Sequence, residues 1–334
     1  MIHTRSLTKD FVVSRRQTVH AVRGISLDVE PGELVAVLGP NGAGKTTTMR
    51  MLTTLIAPTA GTASVAGHDV AAEAGQVRRR IGYVGQGNGA GHTQRVGDEL
   101  YCQGVIYGLD RAAARRRTGE LVESLDLGDL VSRKVSALSG GQRRRLDVAM
   151  GLVHAPSLLF LDEPTTGLDP QNRANLWEHI QRMRAEHDMT ILLTTHYLDE
   201  ADSMAERVVV VDHGEVIADD TADHLKADLA GDRVVVSADD EDGATRLAPL
   251  ASRLRGARDV TRDGVRVEGR VDDGPRALPE LLGAAHAAGI GIESAQVHRP
   301  TLDDVFLTLT GRSLREAGST DTDAQDATTR KDAA

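Results

Sequence analysis

Five apolar residues, Leu34–Leu38, run directly into Gly39-Pro40-Asn41-Gly42-Ala43-Gly44-Lys45-Thr46, and this junction constrains the fold more than any other part of the chain. A short apolar run between Pro31-Gly32 and Gly39 reads as a parallel strand buried on both faces. The loop fits G-x-x-x-x-G-K-[ST], and residues 46–55 read as a helix. Strand, glycine-rich loop and helix in that order make a phosphate cradle. Glycines let backbone N–H groups turn inward, and the helix N-terminus adds a positive dipole end. Lys45 can then reach β- and γ-phosphates and the Thr46 hydroxyl can bind Mg²⁺, with Thr47 in the same nucleotide-contacting set.

Two further segments carry chemistry. Residues 158–161 form a second buried apolar run that ends in Asp162-Glu163. Carboxylates at the C-terminal end of a parallel strand lie where ligands of such sheets bind. Asp162 would hold Mg²⁺, and Glu163 would polarise an attacking water as general base. An acidic cap would explain one carboxylate but poorly explains two. Between the loop and this strand lies Leu138-Ser139-Gly140-Gly141-Gln142, ahead of a helical stretch over 142–153. Ser139 suits an N-cap, and its hydroxyl with the N–H groups of Gly140 and Gly141 could bind phosphate at a helix start. Taken alone, Ser139-Gly140-Gly141 favours a plain helix cap with a flexible hinge; its place between the other two motifs reverses that.

Strands over 191–195 and 208–211 and a helix over 171–186 complete an alternating pattern, which indicates an α/β core around a parallel sheet. Residues 2–7 and 19–29 read as strands of a smaller antiparallel layer. Residues 97–123 are helical, with Arg111 and Arg115, Arg116 and Arg117 on a solvated face. From about Gly231 the pattern changes to βαββαβ, a split βαβ order, with Asp263-Gly264 as a hairpin turn. The expected domains are 1–226, an α+β domain over 231–311 that could be ferredoxin-like, and an Asp/Thr/Ala-rich tail over 317–334 read as disordered.

Bulk properties limit the function classes. A net charge of −10 over 334 residues argues against a broad nucleic-acid-binding surface. The single cysteine, Cys102, excludes an internal disulfide and reads as a buried or neutral thiol. No apolar run approaches the roughly 20 residues that span a bilayer, and residues 1–10 lack a signal-peptide core. A cytoplasmic location is expected unless a partner holds the chain at a membrane.

The order phosphate loop, Gln86, Leu138-Ser139-Gly140-Gly141-Gln142, residues 158–164, Gly167-Leu168-Asp169 and His196 resembles an ATP-binding cassette (ABC) ATPase domain over roughly residues 1–226. The resemblance implies a P-loop NTPase, RecA-like core, with a small antiparallel layer, a helical subdomain and an extra small α+β domain. It implies ATP and Mg²⁺ as cofactors. It gives Gln86 contact with Mg²⁺, the water and a membrane partner, Asp169 communication across a dimer, and His196 contact with the γ-phosphate. Phe11 sits where the family usually places an adenine-stacking aromatic, against the rival reading of a core residue. Arg143-Arg144-Arg145-Leu146-Asp147, Pro170-Gln171-Asn172-Arg173 and the segment from Thr301 to Gly311 are similar to the daunorubicin-resistance group, which serves drug, polyketide or lipid exporters. The implied partners are an integral-membrane permease and a second, head-to-tail copy of the chain, at the cytoplasmic face of the membrane. The sequence departs from the group over 87–94. A soluble ABC ATPase acting on ribosomes or DNA is the alternative. A GTPase is disfavoured because no N-K-x-D string occurs.

Overall fold

The computed structural model describes residues 1–311 except 15 and 88; the tail expected over 317–334 lies outside the described residues. The chain divides into a unit ending at Asp219 and a second beginning at Asp220.

In the first unit, β1 (Ile2–Ser14) and β2 (Gln17–Val29) form a long antiparallel hairpin. The central strand β3 (Leu34–Leu38) leads into α1 (Lys45–Leu52). Next come β4 (Ala60–Val65), the two-residue β5 (His68–Asp69), α2 (Ala74–Arg80) and β6 (Ile81–Val84). A helical region follows: α3 (Val96–Ile106), α4 (Arg111–Ser124) and α5 (Gly140–Leu152). The chain then alternates through β7 (Leu158–Asp162), α6 (Pro170–His187), β8 (Thr190–Thr195), α7 (Leu198–Met204) and the pair β9 (Arg207–Asp212) and β10 (Glu215–Asp220).

Six strands make the main sheet in the order β10-β9-β3-β8-β7-β6, with β3, β6, β7, β8 and β9 parallel to their neighbours. Every residue of β3, β7 and β8 is buried, as expected of strands covered on both faces. The smaller sheet runs β2-β1-β4-β5. One core joins the two sheets: Ile2, Leu27 and Val65 pack in the same cluster as Val35, Met49, Phe160 and Val209.

The second unit starts with α8 (Ala222–Leu225) and a π-helical turn. It continues β11 (Asp232–Ala238), α9 (Glu241–Ala251), β12 (Arg258–Asp263), β13 (Arg266–Val271), α10 (Gly274–Ala287), β14 (Ile292–His298) and α11 (Leu302–Thr310). Its antiparallel sheet runs β12-β13-β11-β14, with its own core of Val234, Val236, Leu247, Val267 and Leu281 among others.

The expected fold class is therefore present: a parallel α/β core, an antiparallel layer, a helical region and an α+β C-terminal part. Three local expectations differ. Helix α1 stops at Leu52 rather than near Leu55, because Thr54 takes φ 62° and the Leu55 N–H turns back to the Arg50 carbonyl. Strand β1 continues past Leu7 to Ser14, since residues 8–14 gain ladder partners on β2, and their three apolar residues run consecutively (Phe11, Val12, Val13) rather than alternating. Cys102 is exposed on α3 rather than buried. Among the described residues, no helix is long and apolar enough to cross a membrane.

Candidate functional site

The end of β3 delivers the glycine-rich loop against neighbouring backbone. A Cβ on Gly39 would lie 2.2 Å from the Val211 carbonyl oxygen. At Gly44, φ is 99° and a Cβ would meet the Ala21 carbonyl oxygen at 2.5 Å, so both positions require glycine. Helix α1 starts without a side-chain cap, which leaves its first N–H groups without a side-chain acceptor where an anion would sit. Gly39, Pro40, Asn41, Gly42, Ala43, Gly44 and Lys45 thus wrap one end of α1, with Thr46 and Thr47 half-buried in its first turn. Lys45 is buried, and its Nζ donates to the Gly39 and Pro40 carbonyls at 2.7 and 2.9 Å. It also lies 3.7 Å from Glu163 Oε1. Burial pulls the Lys45 pKa down, and the nearby Glu163 and Asp162 carboxylates act against that.

Strand β7 carries Asp162 to the same place. Its Oδ1 accepts hydrogen bonds from Thr46 Oγ1 at 3.0 Å and Thr194 Oγ1 at 2.7 Å. Gln86, exposed after β6, donates its Nε2 to Thr46 Oγ1 at 3.0 Å. Asp162 Oδ2 is buried and has no hydrogen-bond partner. An orphaned carboxylate oxygen is costly unless a cation completes it. Among the described residues there is no cluster of three or more His, Cys, Asp or Glu suited to a metal. Mg²⁺ at a phosphate site needs only one or two carboxylates, with phosphates and water as the other ligands. Asp162, Thr46 and Gln86 fit that requirement.

Glu163 follows with a left-handed φ of 46°, and its N–H is held by the Thr194 carbonyl at 3.1 Å and Thr194 Oγ1 at 3.0 Å. Its Oε2 accepts from Thr166 Oγ1 at 3.2 Å and faces His196 Nδ1 across 3.2 Å. Burial pushes the Glu163 carboxyl up, but His196, Lys45 and Thr166 together outweigh it and hold the pKa below the ordinary value. Glu163 is therefore an ionised carboxylate at neutral pH, ready to accept a proton.

The Leu138-to-Gln142 segment belongs to a second cluster. Ser139 caps α5: its Oγ accepts from the Gln142 N–H at 3.3 Å, and Gln142 Oε1 accepts from the Ser139 N–H at 3.0 Å. Ser139 and Gly140 are exposed; Gly141 is buried, and a Cβ there would lie 2.5 Å from Asn172 Oδ1. Asn172 also fixes Asp169, donating its N–H to Oδ1 at 2.9 Å and its Nδ2 to Oδ2 at 2.5 Å. Those bonds hold the Asp169 carboxyl below its ordinary pKa. Among the described residues no hydrogen bond or ion pair joins Ser139 or Asp169 to the phosphate loop of the same chain. Phe11 lies on β1 with 40% of its surface exposed and Lys9 Nζ 5.2 Å from its ring centroid, which removes the core reading.

Sequence reasoning missed three buried charges around these clusters. Arg144 and Asp147 are both buried on α5. Glu200 on α7 accepts from Thr165 Oγ1 and, at 3.0 Å, from Thr195 Oγ1, and it pairs with Arg173 at 3.5 Å. The sequence carried no clear signal for the first two: α5 buries Leu146 and Ala149 as well as Gly141, Arg144, Asp147 and Gly151, so no single apolar stripe marks its buried side.

Known proteins resemble the chain over both units. The family profile described as "ABC transporter" matches residues 22–166, and one described as "ATP-binding protein DrrA1-3-like, C-terminal domain" matches 221–310. The daunorubicin resistance ATP-binding protein DrrA3 of Streptomyces coeruleorubidus is 44% identical over 93% of this chain and 98% of its own length. The daunorubicin/doxorubicin resistance ATP-binding protein DrrA of Streptomyces peucetius is 41% identical over 94% and 96%. A solved dimeric ATP-binding cassette in a post-hydrolysis state, bound to ADP and Pi, shares the fold with TM-score 0.61 and 23% identity. It covers 66% of this chain and 98% of that one.

Proposed function

This chain belongs to the drug-resistance branch of the ABC transporter ATP-binding proteins, an ATP-hydrolysing exporter subunit, and we propose here the residues, partners and metal through which it works. The observation that carries the proposal is the cluster in which Lys45, Asp162, Glu163 and His196 converge on the phosphate loop, with one oxygen of Asp162 left unpaired. The non-transport alternative finds no support among relatives named for drug resistance.

ATP would lie with its phosphates in the loop from Gly39 to Thr46 and its adenine on the open face of Phe11. Lys45 would leave the Gly39 and Pro40 carbonyls for the β- and γ-phosphates. Asp162, Thr46 and Gln86 would hold Mg²⁺, which supplies charge neutralisation between the phosphates. Glu163 takes a proton from the attacking water as the water oxygen bonds to the γ-phosphorus. The bond to the β–γ bridging oxygen breaks, giving ADP and phosphate. His196 steadies Glu163 and reaches the γ-phosphate.

Ser139, Gly140, Gly141, Gln142 and Asp169 would act on the ATP of a second copy arranged head to tail, since their cluster is separate from the loop of their own chain. A separate integral-membrane permease would carry the cargo, a drug, antibiotic or lipid-like compound, with this chain peripheral at the cytoplasmic face. No nucleic acid is involved. The proposed ATPase domain spans 1–226. The sheet order of the second unit supports a ferredoxin-like domain over 231–311. Its proposed role is to help hold the ATPase or its permease together.

The deciding experiment is ATP-dependent dimerisation of a Glu163→Gln variant, read by light scattering. Dimers at saturating Mg·ATP are expected; a persistent monomer overturns the shared site.

A further inference from the structure

We propose that Arg144 is a positioning residue that ties the orientation of α5, with its Ser139-to-Gln142 start, to the water-attack side of the same chain's own ATP site. The inference rests on the ATPase reading above and adds a link between its two clusters.

The guanidinium is buried and serves two loops at once. Nη1 donates to the Gly85 carbonyl at 2.6 Å, one residue before Gln86. Nε donates to the Pro164 carbonyl at 2.6 Å, one residue after Glu163. Nη2 points to the Asp162 and Glu163 carbonyls at 3.3 and 3.4 Å. All four acceptors are backbone oxygens, so the charge is balanced through space by Asp147 and Asp162 rather than by a bonded carboxylate. Only a planar fork of N–H donors reaches two such loops together; a lysine ammonium is a single point.

One turn along α5, Asp147 Oδ1 accepts from the Gly89 N–H at 3.0 Å. The Gln86 segment is thus fastened to α5 on both sides. Arg144 stands five residues after Ser139, about 7.5 Å along one rigid helix. A displacement of α5 that follows engagement of Ser139 with the partner's ATP therefore pulls the carbonyls flanking Gln86 and Glu163. This gives each ATP site a mechanical report on the other.

The test compares the full-length chain with Arg144→Gln and Arg144→Lys. Arg144→Gln is expected to keep KM for ATP within about twofold while kcat falls about tenfold or more, with Arg144→Lys recovering part of the loss. In the nucleotide-free protein, hydrogen–deuterium exchange of Arg144→Gln is expected to rise in both loops, at Gln86 and Gly87 and at Thr165 and Thr166. A kcat within about twofold of the parent, or a KM that rises as kcat falls, overturns the proposal. Exchange that rises in neither loop, or in only one, also overturns it. If Arg144→Gln does not fold, the same readings on Arg144→Lys decide. A parent chain that neither binds nor hydrolyses ATP would instead sink the ATPase reading.

Discussion

Glu163 shows how much a single residue depends on its neighbours. Its left-handed backbone aims the carboxylate between Lys45, Thr166 and His196. Glu163→Gln should lower steady-state hydrolysis by about 10²- to 10⁴-fold and leave ATP affinity nearly unchanged. Single-turnover kinetics and equilibrium nucleotide binding check the two halves. A second test concerns Gly141. Gly141→Ala would press its methyl against Asn172 Oδ1, 2.5 Å from the ideal Cβ position. The expected cost is about 1–3 kcal/mol, seen as a lower melting temperature, and adding Asn172→Ala should recover most of it. Glu200→Ala would leave the Thr165 and Thr195 hydroxyls without their buried acceptor and Arg173 without the nearer of its two carboxylates, so a loss of about 2–4 kcal/mol is expected in chemical denaturation. Motif spacing alone makes Lys45, Asp162 and Glu163 legible as site residues. It could not show that Asn172 packs against Gly141 or that Glu200 accepts from Thr165, because those contacts join elements distant in sequence.

Among the elements, α11 offers the cleanest pH test. Thr301 and Asp304 form a capping box at its start, and Arg270 on β13 pairs with Asp304 at 3.3 Å. Burial pushes the Asp304 carboxyl up, but the Thr301 hydrogen bonds and Arg270 outweigh it and hold the pKa below the ordinary 3.8. A depressed folded pKa means the contribution is fully present above the unfolded value and is lost as pH falls through the folded one. Exchange protection of α11 should therefore hold at neutral pH and weaken as pH drops below about 4. Thr301→Ala should cost about 1 kcal/mol in the same helix at neutral pH. The elements themselves were legible to different degrees. Buried parallel strands announce themselves as continuous apolar runs, and β3, β7 and β8 were expected where they occur. The far half of β1 was not, because its exposed residues Phe11, Val12 and Val13 are consecutive and show no alternation, so pairing with β2 decides their state.

At the scale of the whole molecule, the proposed completion of the site by a second copy would make hydrolysis depend on concentration. The specific ATPase rate of the chain alone should rise with protein concentration below the dimer dissociation constant and level off above it. Removing residues 232–334 should impair assembly with itself or its permease; unchanged assembly and ATPase rate would refute that contribution. The sequence by itself determined the phosphate loop, the acidic strand end and the alternation of buried strands with helices. Each of these is written in neighbouring residues, as glycine placement, charge after an apolar run, or period. Tertiary structure alone decided which motifs meet. It drew Asp162, Thr46, Gln86, Glu163 and His196 into one cluster, set Ser139 and Asp169 in another, and ran Arg144 between them. The physical reason is that a buried polar atom takes whichever partner folding brings within about 3 Å, and that partner can lie anywhere along the chain.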